Sequence, residues 1–404
     1  MTLSPSAPTP PPVKWRQQFA LDLPVAAPGC IWLHACSVGE VASVRPLVNA
    51  LLAEGRRIHL TVVTRTGQAH AERLFRPQSN PSISVGWLPW DLPGLMTRFV
   101  ARLQPALLLL TETEFWPGML TACRKRSIPV VGINTRISDR SFPRYRRSRW
   151  LWQRWLAPID LFLAQSDEDR QRLIALGIAP ARIKAVGNLK YAISAPSVDA
   201  EALRRRIDPS LSRPLLLVAS THADEERRIL AMWRAWQAIR SDLLLLLVPR
   251  HPERFDEVAA LISGEGLALH RWSEGDAAAA DIVLVDAMGV LGQLYAVADL
   301  AIVGGSLANI GGHNPLEAAI CGRGVLTGPH VQNFRDVMRR MQLAGAAVVA
   351  GNDGELQAAV ERFLHRPAEL AELHAQAVHF MQAQGDILAN FIRELRPYLE
   401  RLPR

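Results

Sequence analysis

The sequence has few cysteines and lacks the long apolar runs of a membrane protein. None of its four cysteines belongs to a CxxC pair or to a cluster with histidine at zinc-ligand spacing: Cys30, Cys36, Cys123 and Cys321. This pattern argues against a disulfide scaffold or a structural zinc site, and it indicates reduced, cytosolic thiols. No apolar stretch approaches the roughly 18–20 residues that cross a bilayer, so no transmembrane helix is expected.

The composition is that of a folded protein with an excess of positive charge. The chain has 404 residues, 49% of them hydrophobic, which is enough for two domains of about 200 residues each. Such an apolar fraction excludes disorder for most of the chain. Lys and Arg number 46 against 38 Asp and Glu, a formal net charge of +8. This excess points to anionic partners but does not choose among phosphates, nucleic acid and a membrane surface.

Short apolar runs alternate with amphipathic stretches, which predicts an α/β protein with two Rossmann-like, doubly wound parallel sheets facing a ligand cleft. The predicted organisation is a flexible, Pro-rich segment 1–13, an N-terminal domain 14–194, a linker 195–214 and a C-terminal domain 215–404. The predicted strands are Cys30–Ala35, Ile58–Val63, Ala106–Leu110, Val130–Ile133 and Leu161–Ala164, then Leu215–Ala219, Leu243–Val248, Ile282–Val285, Leu300–Val303 and Val325–Leu326.

Acidic residues follow two predicted strands of the first half. Glu40 ends the segment HACSVGE, where S-x-x-E is typical of a capping box. A carboxylate at the mouth of a cleft is equally a candidate general base, and both roles are compatible. In TETEFWP, alternation places Glu112 and Glu114 on one side of an extended chain. Two close carboxylates raise the pKa of one of them, although an exposed loop with a helix cap explains the same residues.

A third acidic segment is interpreted as structural. Asp167–Asp169 resembles a D-x-D metal clamp, but Ser166 precedes it and a helical pattern follows. This order is typical of an N-cap with acids in the first turn. Since no other candidate cluster appears in the sequence, we expect no metal.

Two segments of the second half suit phosphate binding. Arg250 and His251 directly follow a predicted strand, and an Arg fork with a second donor grips phosphate well. The Gly-rich segment 304–317, GGSLANIGGHNPLE, contains Ser306 and leads into a helix with Asn314 as the N-cap. Backbone N–H groups at such a loop are a ready anion site. It is neither G-x-G-x-x-G nor a Walker motif.

The segment Arg140–Trp155, RSFPRYRRSRWLWQRW, combines Arg and Trp without any acid. A helix from about Arg147 would place Leu151, Trp152 and Trp155 on one side. Arg meets anionic head groups while Trp sits at the interface, so this segment is a candidate for attachment to an anionic membrane surface. The alternatives are a helix packed by its aromatics and a nucleic-acid site.

The motifs HACSVGE, TETEFWP, NTRISDRSF, GNLKYA, STHADEE, PRHPERF, GGSLANIGGHNPLEAA and GPHVQNF occur in an order that resembles bacterial 3-deoxy-D-manno-octulosonic acid (Kdo) transferases. The resemblance covers about residues 13–334. It implies a GT-B fold and metal-independent, inverting transfer of Kdo from CMP-Kdo to the lipid A precursor (lipid IVA) of lipopolysaccharide. CMP-Kdo is then a substrate and no cofactor is needed. We expect peripheral attachment at the cytoplasmic face of the inner membrane and no nucleic-acid partner.

The resemblance also implies roles for single residues. Glu40 resembles the general base, and Glu112 and Lys190 resemble positions that stabilise the transition state. Val290 stands where the family usually has glutamate. The alternatives are a GT-B enzyme using another nucleotide sugar and a basic RNA-binding protein. Residues predicted to bind the donor are Pro249, Arg250, His251, Met288, Gly289, Val290, Ser306, Asn314, Pro315, Leu316 and Glu317.

Overall fold

The chain forms two units in the computed structural model, which describes residues 14–22, 28–75, 77, 79–276 and 280–402. One unit comprises Met1–Ala192 with Asp386–Arg404, and the other comprises Ile193–Gly385. The change from one unit to the next thus falls within two residues of the predicted boundary at 194. The segment 1–13, predicted to be flexible, lies outside the described residues.

The first unit is built on a parallel sheet, and within its described residues the strand order is β3-β2-β1-β4-β5-β6-β7. Its strands are β1 Ile31–His34, β2 Ile58–Val62, β3 Ile83–Trp87, β4 Leu107–Thr111, β5 Val130–Thr135, β6 Leu161–Ala164 and β7 Ile183–Ala185. Its helices are α1 Lys14–Gln18, α2 Val38–Ala53, α3 Arg65–Phe75, α4 Pro93–Leu103, α5 Pro117–Lys125, α6 Phe142–Arg147, α7 Arg149–Leu156, α8 Asp167–Ala175 and, near the C-terminus, α17 Ile387–Leu399.

The second unit has a parallel sheet of the same kind, with the order β10-β11-β9-β8-β12-β13-β14 among its described residues. Its strands are β8 Leu215–Thr221, β9 Leu244–Pro249, β10 Leu269–Arg271, β11 Ile282–Leu284, β12 Leu300–Val303, β13 Val325–Thr327 and β14 Ala347–Val349. Its helices are α9 Ala200–Ile207, α10 Glu225–Ile239, α11 Phe255–Gly264, α12 Leu291–Val297, α13 Leu316–Ala319, α14 Arg335–Leu343, α15 Asp353–His365 and α16 Pro367–Gln384.

Each sheet is buried because helices cover its faces, as parallel sheets require. In the first unit, Trp32 packs against Phe99 of α4 with ring centroids 5.1 Å apart. Its indole N–H donates to the Thr61 hydroxyl at 2.9 Å. In the second unit, Trp233 and Trp236 of α10 are fully buried. The continuous apolar runs of the central strands are therefore core segments, as predicted.

The observed division differs from the predicted one at two places. The predicted linker 195–214 contains α9, which belongs to the second unit and packs against α12. Arg204 of α9 donates to the Val297 carbonyl at 2.6 Å and pairs with Asp299 at 3.0 Å. The charged composition that suggested a linker thus serves a packed helix.

The second difference concerns α17, which the sequence assigns to the C-terminal domain. In the structure α17 packs against α2 of the first unit. Arg396 of α17 and Glu54 at the end of α2 form two hydrogen bonds of 3.1 and 3.2 Å. Among the described helices, none combines the length and apolar character that a bilayer crossing requires.

We expect Leu395→Ala to destabilise the first unit by about 2–5 kcal/mol, as large-to-small core substitutions do, because this side chain of α17 is fully buried. Hydrogen exchange of the full chain, followed by mass spectrometry, should then be faster in α2 and unchanged in α16. Arg393→Ala, on the exposed side of the same helix, is the control and should change stability by less than about 0.5 kcal/mol. Faster exchange confined to the second unit would contradict the placement of α17.

Candidate active site

Three groups of predicted site residues follow strands at the point where the strand order of the sheet reverses. This point lies between β1 and β4 in the first unit and between β8 and β12 in the second. Open parallel sheets bind ligands beyond the carboxyl ends of their strands at such points. Glu40 follows β1 and Glu112 follows β4, whereas the Gly-rich segment 304–317 follows β12. Each group of residues therefore lies where the topology favours a ligand.

Glu40 is held by hydrogen bonds at the start of α2. The Ser37 hydroxyl accepts from the Glu40 N–H at 3.4 Å and donates to Glu40 Oε1 at 2.9 Å. The Cys36 N–H donates to Glu40 Oε2 at 2.8 Å. Ser37 is thus the N-cap, as S-x-x-E predicts, but Glu40 binds the N–H of Cys36 and not that of Ser37, so only this half of the capping box is formed. Because Glu40 is partly exposed, its carboxylate also remains accessible for chemistry.

Thr111 connects Glu40 to the sheet. This buried residue ends β4, and its hydroxyl lies 2.8 Å from both Glu40 Oε2 and the carbonyl oxygen of His34. The contact joins β4, β1 and α2 at one point, and it orients Oε2. The sequence analysis missed Thr111, although a polar residue at the end of an apolar strand is a signal that could have found it.

Glu112 does not lie on an extended chain, so the predicted alternation with Glu114 is wrong. Glu112 has a φ of +49°, in the left-handed region, and the chain turns there. Burial raises the pKa of Glu112, and the charge of Glu40 adds to this rise, whereas Lys190 and Arg136 oppose it. The pKa of one glutamate is thus raised, but mainly by burial and by Glu40; Glu114, the neighbour expected to cause the rise, makes the smallest contribution.

The pKa of Glu114 shifts in the opposite direction. Burial alone would raise its pKa, but contacts with His34 and Trp116 outweigh burial, and the pKa is lowered. The indole N–H of Trp116 donates to Glu114 Oε2 at 2.8 Å. Nε2 of the fully buried His34 lies 3.6 Å from the same oxygen. The two glutamates thus have distinct environments, with Glu114 the more strongly stabilised as a carboxylate.

Lys190 comes to the site through a network of amide side chains. It lies in a tight turn, Leu189–Tyr191, whose start is capped by the Asn188 side chain, which accepts from the Lys190 N–H at 2.9 Å. Asn188 also donates to Gln165, and Asn134 accepts from the Leu189 N–H, both at 2.9 Å. Asn134 lies near the end of β5, Gln165 follows β6 and Asn188 follows β7. The network holds the charge of Lys190 near Glu112, as its effect on the pKa of Glu112 shows.

One group in the described part of the chain has the ligand spacing of a cation site. It consists of Cys36, Glu40 and Glu114, with ligand atoms within 4.8 Å of one another. Burial raises the pKa of the Cys36 thiol to about 12, and both glutamates add to this rise. The thiol is therefore neutral, so the group presents two carboxylates. By contrast, Asp167–Asp169 forms the first turn of α8, and Ser166 is the N-cap of this helix, as predicted.

In the second unit, the buried carboxylate of Glu225 binds the backbone of the Gly-rich segment 304–317. Glu225 accepts hydrogen bonds from the N–H groups of four consecutive residues, 305–308, at 2.7 to 3.1 Å. It also accepts from the His222 N–H at 2.9 Å. These backbone donors, which the sequence analysis offered to a phosphate, are thus already engaged. An anion at this edge of the sheet therefore cannot use these four N–H groups.

Ser306, a predicted donor-binding residue, is fully buried. Its hydroxyl donates to the Val303 carbonyl at 2.6 Å and accepts from the Gly328 N–H at 2.9 Å. These two bonds tie the end of β12 to the segment that follows β13. Ser306 therefore positions the loop.

The side chains available to an anion come from three loops. Arg250 and His251 follow β9, and no described side chain pairs with the Arg250 guanidinium. His222 follows β8, with its ring centroid 5.1 Å from that of His251. His313, from the Gly-rich segment, lies next to His222, with Nε2 atoms 2.8 Å apart. The sequence analysis singled out only Arg250 and His251 of this group.

The remaining donor-binding candidates lie around α12 and α13. Met288 is 56% exposed, Gly289 has a φ of +86°, and Val290 directly precedes α12. Pro249 is buried at the end of β9.

At α13, Pro315 takes the N-cap position that was predicted for Asn314. Asn314 Oδ1 instead accepts from the N–H of the buried Leu316 at 3.2 Å, and its Nδ2 lies 3.5 Å from Glu317 Oε1. Because α13 has only four residues, its dipole contributes little.

The segment 140–155 forms two short helices, α6 and α7. Trp152 stacks on Trp155 with centroids 5.1 Å apart, and both pack against the core of the first unit. The side chain of Trp150 is 70% exposed and that of Leu151 is 41% exposed. Trp152 and Trp155 therefore share one side, as expected, but Leu151 of the same helix is exposed and does not join them.

Known proteins match the chain over most of its length. Residues 13–193 match the model of a family described as 3-deoxy-D-manno-octulosonic-acid transferase (kdotransferase). A 3-deoxy-D-manno-octulosonic acid transferase of Bordetella pertussis is 40% identical over 337 residues, which cover 81% of this chain and 77% of that protein. The chain belongs to the Kdo transferase family. A protein of the same name from Haemophilus influenzae is 35% identical over 93% of this chain and 88% of its own length.

Solved structures agree on the fold. UDP-GlcNAc 2-epimerase from Neisseria meningitidis has a TM-score of 0.53 at 12% identity, covering 90% of this chain and 99% of that one. A glycosyltransferase from Rickettsia africae has a TM-score of 0.52 at 13% identity, covering 92% and 98%. The predicted GT-B fold, with two Rossmann-like domains, is confirmed. As a member of the Kdo transferase family, the chain is a glycosyltransferase.

We expect Glu112→Gln to raise thermal stability near pH 8. The pKa of Glu112 is raised above its ordinary value of 4.5, so its contribution to stability is complete below about pH 4.5 and is lost as the pH rises through the folded-state pKa. Gln does not titrate, so its advantage in melting temperature should shrink as the pH falls towards about 4.5. The control is Glu72→Gln on α3, which should show no such trend. A Glu112→Gln variant less stable than the wild type at pH 8 would contradict this reading.

Proposed function

We propose that the chain transfers Kdo from CMP-Kdo to the lipid A precursor lipid IVA, with inversion at the anomeric carbon and without a metal. The observation that carries the proposal is the Glu40 carboxylate, fixed at the strand ends of the first sheet by Cys36, Ser37 and Thr111. Two further observations support the proposal. The chain belongs to the Kdo transferase family, and Glu112, Lys190 and Arg250 each lie at the carboxyl edge of their sheet.

Glu40 is suited to act as the general base. Among the described residues, Cys36 and Thr111 donate to Oε2, and Ser37 alone donates to Oε1. A carboxylate oxygen has about two lone-pair sites, so Oε1 retains one for the proton of an acceptor hydroxyl. Because the carboxylate is fixed by three donors, it need not reorganise when that proton arrives.

Glu112 and Lys190 are suited to balance charge around the reacting sugar. Burial and the charge of Glu40 make the ionised form of Glu112 costly, and Lys190 offsets part of this cost. A cationic, oxocarbenium-like transition state beside Glu112 would gain from the same carboxylate. Lys190 offers an ammonium group to the carboxylate that Kdo itself carries.

In the proposed step, an oxygen lone pair of the acceptor hydroxyl forms the new bond to the anomeric carbon, while its proton goes to Glu40. The bond between this carbon and the CMP phosphate breaks, and its electron pair remains on the phosphate oxygen. Displacement from the face opposite the leaving group inverts the configuration. Arg250 would hold the phosphate as its negative charge grows.

The experiment is Kdo transfer from CMP-Kdo, generated in situ, to tetraacylated lipid A precursor in the presence of EDTA, with products weighed by mass spectrometry. We expect wild type to add one or more Kdo units. Glu40→Gln should lower the rate by at least about 100-fold, since a general base contributes 10²–10⁴-fold. Gln retains an acceptor oxygen for the Cys36 N–H, so the melting temperature should change little.

Glu72→Gln serves as the matched control and should transfer at the wild-type rate. Full activity of Glu40→Gln would leave Glu40 with its capping role alone. Loss of transfer in EDTA that Mg²⁺ restores would contradict metal independence. Protection of the folded wild type by UMP, with none by CMP, would contradict the proposed donor.

We further propose that the chain attaches peripherally to the cytoplasmic face of the bacterial inner membrane through α6 and α7. Trp150 and Leu151 expose apolar surface there. Exposed arginines, among them Arg147 and Arg149, flank them. Arg attracts anionic head groups, and Trp favours the interface between lipid and water.

Arg147→Glu combined with Arg149→Glu should weaken binding to vesicles that contain phosphatidylglycerol. Each cation contributes about 1 kcal/mol near such a surface, so the loss of two should lower partitioning by at least about 30-fold, and the two added carboxylates should lower it further. Vesicle flotation measures this. The control pair Arg124→Glu and Arg126→Glu changes the net charge equally at the end of α5, where both residues are exposed. An equal loss in both pairs would show that net charge, rather than this segment, governs binding.

A further inference from the structure

Three histidines meet at the carboxyl edge of the second sheet. They come from the loops after β8, β9 and β12, which are neighbouring strands. The ring planes of His222 and His313 agree within 4°, and their centroids lie 5.0 Å apart. Their Nε2 atoms are 2.8 Å apart, so the rings face each other edge to edge. The ring of His251 stands at 74° to that of His222.

A separation of 2.8 Å requires one hydrogen between the two Nε2 atoms, since two lone pairs would repel each other. In the neutral pair, one ring therefore donates from Nε2 while its Nδ1 keeps a lone pair, and the other ring accepts. A second proton has one open place, the Nδ1 of the donating ring. The pair can thus hold one extra positive charge without breaking its internal hydrogen bond.

Arg250 and His251 oppose that extra charge in the free protein, whereas the carboxylates of Glu225 and Glu226 favour it at His222. Glu225 is bound by five N–H groups, and Glu226 is bound by Arg254. Burial has the largest effect: it lowers the pKa of His222 and, together with the charges of His222, Arg250 and His251, it lowers the pKa of His313 to about 4. The free pair is therefore neutral at pH 7 to 8.

The position of the pair is built into the loop. Gly305 has a φ of +65°, and a Cβ at this residue would lie 2.9 Å from the His313 ring. The N–H of Gly305 is bound by Glu225, which also accepts from the His222 N–H. One buried carboxylate thus fixes the backbone on both sides of the two rings. The pair is preorganised beside Arg250.

We infer that the His222–His313 pair binds one proton from solvent when a phosphate monoester dianion binds beside Arg250 and His251. An anion brings the negative charge that makes the second proton favourable. The inference rests on the proposed function, in which bond cleavage converts the singly charged phosphate diester of the donor into the doubly charged monoester CMP. In the protonation itself, a histidine nitrogen binds a proton from solvent, and no bond to carbon or phosphorus forms or breaks.

The experiment is calorimetric titration of the full chain with CMP at pH 8.0 in buffers of different ionisation enthalpy. The second pKa of a phosphate ester is about 6, so CMP is already a dianion and any bound proton belongs to the protein. We expect wild type to take up protons as it binds CMP, up to one proton per CMP. Between pH 7 and 8 the affinity for CMP should fall by up to about tenfold per pH unit. His313→Gln and His222→Gln should each reduce proton uptake to near zero.

His379→Gln, an exposed histidine on α16 of the same unit, is the control and should behave as wild type. Melting temperatures identify any variant that fails to fold, and wild type alone still tests the inference through its proton count. CMP binding without proton uptake would overturn the inference and leave the proposed donor intact. Proton uptake with UMP but no binding of CMP would support the inference and contradict the donor. No binding of either nucleotide would overturn both.

Discussion

Both units depend on a carboxylate held where the strand order of the sheet reverses. Glu225 accepts five backbone N–H groups and is fully buried, so its lone pairs are spent on fixing the loop. Glu40 accepts one backbone N–H and two hydroxyls and remains partly exposed. The number of donors separates their roles: a saturated carboxylate organises backbone, whereas one with a spare lone pair is available to a substrate proton.

The sequence predicts the central strands well and misses the edges. The strands absent from the prediction are β3, β7, β10 and β14, and these are the outermost strands of the two sheets. Central strands are covered on both faces and are therefore continuously apolar. Edge strands are partly exposed and short. Ile183–Ala185, for example, buries only its first residue, so no apolar run marks it.

The site was predictable where chemistry and local order coincide, and not where distant residues meet. Ser37 and Glu40 form a cap within four residues, so the pattern sufficed. The occupant of the Gly-rich segment, Glu225, lies about 80 residues before it, and no local pattern shows that its carboxylate takes those N–H groups. Likewise, α17 has the amphipathic pattern of its neighbours, and this pattern cannot tell which unit it covers.

The placement of charges matches the direction in which the proposed reaction moves them. Transfer takes a proton from an acceptor oxygen and leaves an extra negative charge on a phosphate. The first unit presents a carboxylate with a spare lone pair, Glu40, which suits the proton. The second unit presents Arg250, with no partner among the described side chains, beside a histidine pair that has one open protonation site. If these groups were exchanged, a carboxylate would lie beside the leaving phosphate and would repel its growing negative charge. A cation would lie beside the acceptor hydroxyl and would not accept its proton.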